Sequence, residues 1–189
     1  FYFGWGWDHI ISRDALDHLL FIAALATIYL LKDWKQVLIL VTAFTIGHSI
    51  TLALATLNII DFSAEVIEFL IPLTIFITAA GNLFKKDQPI AGGKIQINYF
   101  YALFFGLIHG LGFSNFLRAL LGKNENIVSP LFAFNIGLEI GQIIVVVIFL
   151  GISFVLVDLL KVSRRDLRLV LSSAIAGIAL VLMKDRIFW

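Results

Sequence analysis

Long apolar runs separated by short polar clusters organise this chain. Six runs are long enough to cross a bilayer as helices, which takes about 20 residues each. They fall near 15–31, 36–58, 64–84, 97–120, 130–160 and 166–184. The fifth is long enough to tilt or to extend past the membrane. Lys32-Asp33-Trp34-Lys35 divides the first two runs, and the segment from Lys85 to Lys94, with Asp87, Pro89, Gly92 and Gly93, reads as a loop. Ser129-Pro130 predicts an N-cap followed by proline at the first helical position, and Ser163-Arg164-Arg165-Asp166 has the spacing of a capping box. The opening Phe1-Tyr2-Phe3-Gly4-Trp5-Gly6-Trp7 is too short to span and suits the headgroup interface as an aromatic anchor. The prediction is an all-α polytopic membrane bundle of about six transmembrane helices, a single integral membrane domain over 1–189, with an N-terminal interfacial aromatic segment.

Composition agrees. Of the 189 residues, 60% are hydrophobic and 14% charged, too few polar groups to cover a soluble domain of this size. A net charge of +1 gives no footprint for nucleic acid. Without cysteine there are no disulfides, iron–sulfur clusters or thiolate metal sites, and a single methionine, Met183, argues against a copper(I) pathway. Basic residues gather in the connections after runs one, three and five: Lys32, Lys35, Lys85, Lys86, Lys94, Lys161, Arg164, Arg165 and Arg168. Arg13, Arg118, Lys123, Lys184 and Arg186 lie on the other side. The positive-inside rule then predicts both termini outside the cytoplasm.

Polar residues within the runs change the picture most, because a charge at mid-membrane costs about 2.5–3.5 kcal/mol. Asp14, Asp17 and His18 share one face at i, i+3 and i+4, with His9 just upstream. First-turn carboxylates commonly complement a helix dipole, which accounts for Asp14 better than for His18. His48, followed by Ser49, and His109 lie deep in runs two and four; a lone intramembrane histidine can also simply hydrogen-bond a neighbouring helix. Gly106 and Gly110 around His109, and Gly137 and Gly141 in run five, are small-xxx-small pairs that permit close helix approach. Asn135, Glu139 and Gln142 make one polar stripe, and no Lys or Arg inside a run offers Glu139 a partner. Glu68 lies at the same level of the bundle and extends an access path. A metal site explains all of these together, and imidazole with carboxylate suits nickel, cobalt, zinc or ferrous iron. Neutral imidazole is the ligand form, so affinity is expected to fall as histidines protonate near their unperturbed pKa of about 6.5.

Four ordered motifs also carry a family resemblance. They are His9 with Asp17-His18-Leu19-Leu20-Phe21; Phe44-Thr45-Ile46-Gly47-His48-Ser49-Ile50-Thr51-Leu52; Phe105-Gly106-Leu107-Ile108-His109-Gly110-Leu111-Gly112-Phe113-Ser114; and Phe134-Asn135-Ile136-Gly137-Leu138-Glu139-Ile140-Gly141-Gln142. Together they resemble the HupE/UreJ family, particularly its second branch, over nearly the whole chain. The resemblance implies a nickel or cobalt permease in a cell membrane, such as a bacterial inner membrane, with His9, Asp17, His18, His48, His109 and Glu139 on the metal path. The related His-x4-Asp-His signature of the larger nickel/cobalt transporters is longer here, with seven residues between His9 and Asp17.

Three functions follow from this reading. The first is membrane transport of a divalent transition-metal ion, with two three-helix halves of inverted topology. That plan puts His18 and His109 on corresponding helices, and likewise His48 and Glu139. The second is an intramembrane zinc-dependent hydrolase acting on a lipid or amide, with Ser49 or Glu139 supporting proton transfer; the apparent scarcity of polar residues in the cytoplasmic half keeps it in play. The third is a metal-binding accessory or delivery protein. The expected partners are the metal ion and the lipid bilayer, without an organic cofactor, and assembly into a homo-oligomer is compatible with all three.

Overall fold

The computed structural model describes residues 1–12, 16–85, 92–121 and 127–189, and all regular structure in them is helical. Helix α1 is Tyr2–Ile11, α2 Leu16–Ala26, α3 Trp34–Thr56, α4 Ala64–Leu83, α5 Gly92–Leu121, α6 Val128–Phe154 and α7 Arg164–Asp185. A 3-10 turn at Leu31–Asp33 leads into α3, and α6 continues through a π-helical turn, Val155–Leu159. Among the described residues, Leu31–Thr56, Ala64–Leu83, Val128–Leu159 and Arg164–Asp185 are long and apolar enough to cross a membrane. Their outer faces carry Ile77, Val147, Val170 and Val181, between 50% and 66% exposed. Water would drive such a surface to aggregate, whereas lipid solvates it. The chain is a multi-pass membrane protein.

The first apolar run gives a shorter helix than its length predicts. With 11 residues α2 is about 16 Å long, against a hydrocarbon core of about 30 Å. It stops where Thr27 turns its hydroxyl onto the Ala23 carbonyl at 2.6 Å. The irregular stretch that follows is satisfied from outside: Arg164 Nη2 donates to the Ile28 carbonyl at 2.7 Å, and the Leu30 N–H donates to Asp33 Oδ2 at 3.1 Å. At the other helix ends the predicted signals are nearly in place. The Asp166 N–H donates to Ser163 Oγ at 3.4 Å, and α6 begins at Val128, one residue before the predicted cap.

The aromatic N-terminus does more than anchor. It folds as α1 and packs along α6, while α3 packs along α5 and α4 along α7. The first two pairs share one device. A Cβ on Gly6 would lie 1.9 Å from the Phe134 carbonyl oxygen, and one on Gly137 would lie 2.1 Å from that of Phe3. In the second pair, a Cβ on Gly47 would lie 2.2 Å from the Leu103 oxygen and one on Gly106 2.1 Å from the Phe44 oxygen. Each glycine therefore seats the partner's backbone directly on its Cα, the geometry of Cα–H···O contacts between helices. Contacts advance together along both chains, from Phe44/Gly106 to His48/Gly110 and from Phe3/Gly137 to Ile10/Gly141, so each pair runs parallel.

Helices α5 and α6 are joined by a short connection and run in opposite senses, so the two clasped pairs oppose each other. The sequence repeats accordingly. Ala43-Phe44-Thr45-Ile46-Gly47 of α3 matches Ala133-Phe134-Asn135-Ile136-Gly137 of α6, and Gly6-x-x-His9 of α1 matches Gly106-x-x-His109 of α5. The inverted halves are interleaved, each clasp joining one helix from either half. Helices α3 and α6 correspond as expected, but the register matches His109 with His9 rather than with His18.

The clasp predicts unequal glycine substitutions. Gly106→Ala should lose about 1–3 kcal/mol through overpacking. Gly177→Ala, where nothing lies within 4 Å of the added carbon, should be neutral or gain up to about 1 kcal/mol. Thermal unfolding in detergent distinguishes them, and equal midpoints would contradict the clasp.

Candidate metal centre

His9 lies near the end of α1 and His18 in the first turn of α2, so both flank the interruption between these short helices. His48 follows clasp residue Gly47, and His109 lies one turn beyond Gly106. The clasps thereby position His9, His48 and His109, and α2 brings His18 among them. Ring centres of His9 and His18 are 4.7 Å apart, His18 and His109 5.2 Å, His18 and His48 5.7 Å, and His9 and His48 6.0 Å. His18 is the hub. His48 is fully buried, His109 is 1% exposed and His18 6%.

Most of the ring nitrogens have no partner. Among the described residues, His9 Nε2, His18 Nε2, both nitrogens of His48, and His109 Nδ1 are buried without a hydrogen bond. His109 Nε2 has a hydroxyl neighbour in Thr74. Thr74 Oγ1 donates to the Ile71 carbonyl at 2.7 Å, so toward His109 Nε2, 3.1 Å away, it offers a lone pair.

Imidazole nitrogen is a common transition-metal ligand, so the ring separations can be set against those a shared ion would impose. An ion about 2.0–2.1 Å from two imidazole nitrogens sets the ring centres roughly 4.5–5.3 Å apart at octahedral to tetrahedral angles. Two of the four separations lie within that window and two are slightly longer. The rings meet at interplanar angles of 57–79°. Among the described residues, no three His, Asp or Glu side chains already stand in a coordinating arrangement. A shared ion would therefore require the rings to turn their nitrogens inward and His48 to draw closer to His9 and His18.

The other predicted site residues lie apart from this centre or at its edge. Asp17 is adjacent to His18 in sequence, but its Oδ2 pairs with Arg186 Nη1 at 2.9 Å, while Oδ1 is buried without a partner. Glu139 Oε1 accepts from Thr42 at 2.7 Å, and Gln142 Oε1 accepts from Thr45 at 2.8 Å. Ser49 donates to the Thr45 carbonyl and Asn135 to the Leu131 carbonyl. Glu68 is exposed, and Asp14 lies outside the described residues. Sequence reasoning missed Arg186 because it lies beyond the last apolar run. It also passed over Thr42 and Thr45, although their i, i+3 spacing mirrors that of Glu139 and Gln142.

Beneath the histidines Phe21 and Phe44 form a floor, their ring centres 5.2 and 5.1 Å from His109, with Phe105 5.8 Å from Phe21. Beyond lies a cavity of about 300 Å³, lined in part by Phe105, Thr78, Asn82, Asn98, Tyr29 and Lys85. Leu25, Ile28, Leu40, Ile77 and Tyr101 complete a lining that is mostly apolar, with these polar side chains set into it.

These features define a multi-pass helical membrane protein with a buried polyhistidine centre. A family model described as HupE / UreJ protein matches residues 1–186, and the chain belongs to that family. The family is associated with nickel/cobalt transport or urease accessory function. Comparison with curated proteins and with solved structures finds no match.

The stripe between α3 and α6 is testable without any metal. Gln142 is fully buried and its Nε2 has no partner among the described residues. Thr45→Val would also strip Oε1 and should destabilise by about 1–3 kcal/mol. Adding Gln142→Leu should recover much of that loss, and additive losses in thermal unfolding would contradict the pairing.

Proposed function

We propose that this protein carries a divalent transition-metal ion, nickel or cobalt, across the membrane through the four-histidine centre. The convergence of His9, His18, His48 and His109 with five unpartnered ring nitrogens carries the reading. Buried imidazoles without partners cost stability, and a dehydrating cation supplies the missing interactions. Neutral ligands alone leave the ion's charge uncompensated, so Asp17, next to His18, is the nearby source of negative charge. Glu139, bonded to Thr42, serves elsewhere than in the coordination sphere.

Three further features favour movement over storage. Centres at interrupted helices between inverted halves are a recurring plan in secondary transporters. Polar groups occur on both sides of the histidines, with Asp61 and Glu68 lining a pocket at one end and Asn82, Asn98 and Tyr29 lining the cavity at the other. The phenylalanine floor between the histidines and that cavity is thin. With the basic connections cytoplasmic and both termini outside, the ion passes from the Asp17 end past the floor to the Asn98 cavity.

In proteoliposomes, wild-type protein should accumulate cobalt or nickel, while His48→Ala and His109→Ala should lose both flux and bound metal. Glu139→Gln should keep bound metal. Metal binding without flux, together with cleavage of a lipid substrate, would replace transport with hydrolysis.

A further inference from the structure

We propose that Arg186 is a tethered cation that occupies the Asp17 carboxylate and must be displaced by the incoming metal, restricting the centre to ions that outcompete a guanidinium. This rests on the metal-site reading above. Arg186 lies just beyond the end of α7. Its Nη1 is 2.9 Å from Asp17 Oδ2 and donates to the Glu68 carbonyl at 3.3 Å. That carbonyl is free because of Pro72, which lies four residues on inside α4 and has no N–H to offer it. The tail is pinned beyond Arg186, with the Phe188 and Trp189 rings 6.2 and 5.0 Å from Phe69. The fold therefore builds a receptor for the guanidinium from a proline-released carbonyl and a carboxylate.

Position gives this receptor its consequence. Asp17 Oδ1 and His18 Nε2, on consecutive residues, are both buried without partners among the described residues. His18 is the hub of the histidines. Glu68 also lines the pocket of about 250 Å³ that Asp61 and Ser114 share at this end. An ion arriving there meets exposed carboxylates first, then Asp17 under Arg186, then His18. A monovalent ion offers Asp17 no more charge than the guanidinium and none of its forked hydrogen bonding. A compact divalent ion offers twice the charge and gains imidazole ligands in the same step. Displacement therefore selects for charge and for affinity toward nitrogen together.

Calorimetric titration of the purified full chain with cobalt tests this. Arg186→Gln removes the competitor and should bind cobalt roughly tenfold more tightly, equivalent to about 1.4 kcal/mol. It should also make binding sensitive to sodium, to which the wild type is indifferent. Pro72→Ala gives the Glu68 carbonyl its helical donor back and loosens Arg186 without touching the ligands, so it should tighten cobalt binding in the same direction by less. If Arg186→Gln fails to fold, Pro72→Ala decides. Folded variants with unchanged or weaker affinity would overturn the gate while leaving the metal site standing. Absence of cobalt binding in the wild type and in every variant would overturn both.

Discussion

Backbone contact through glycine is the constraint on which the rest of this structure depends. At Gly6, Gly47, Gly106 and Gly137 even a methyl group would overlap a carbonyl oxygen of the facing helix. Lipid gives helices no hydrophobic reason to associate, so close packing and weak C–H···O contacts must hold them. The clasps also set register. His48 and His109 lie on helices locked at Gly47 and Gly106, and His9 lies on a short helix that the Gly6–Gly137 clasp fastens to α6. Histidines far apart in sequence meet because glycines place their backbones.

That precision serves a costly arrangement. Among the described residues, five buried imidazole nitrogens lack partners, at a cost of about 1–3 kcal/mol for each unsatisfied group. Asn82, by contrast, donates to the Ala24 carbonyl at 2.7 Å. Thr74 engages one nitrogen of His109, and the other has no partner among the described residues. Electrostatics completes the design at one edge only, where Asp17 supplies a carboxylate already held by Arg186.

Much of this was legible in the sequence, for identifiable reasons. Spans appear as apolar runs because lipid admits little else, and His18, His48 and His109 stand out because polar groups at that depth are expensive. The small-xxx-small pairs were readable as packing sites, and the structure supplies their partners. What escaped depends on pairing between distant segments. Glu139 reads as a ligand from its type and depth, but the hydrogen bond that Thr42 on α3 donates to it is invisible in the sequence. Arg186 looks like an ordinary residue past a helix end until Pro72 is seen to release the carbonyl it binds. Helix α1 was masked by its aromatic composition, and its glycines reveal their role only against α6.

The central claim is that several imidazoles share one metal ion. X-ray absorption at the cobalt edge of the loaded, purified protein measures this most directly. Imidazole nitrogen at about 2.0–2.1 Å should dominate the coordination shell, with the outer-ring scattering of at least three histidines. A shell of water and carboxylate oxygen without imidazole scattering would contradict it.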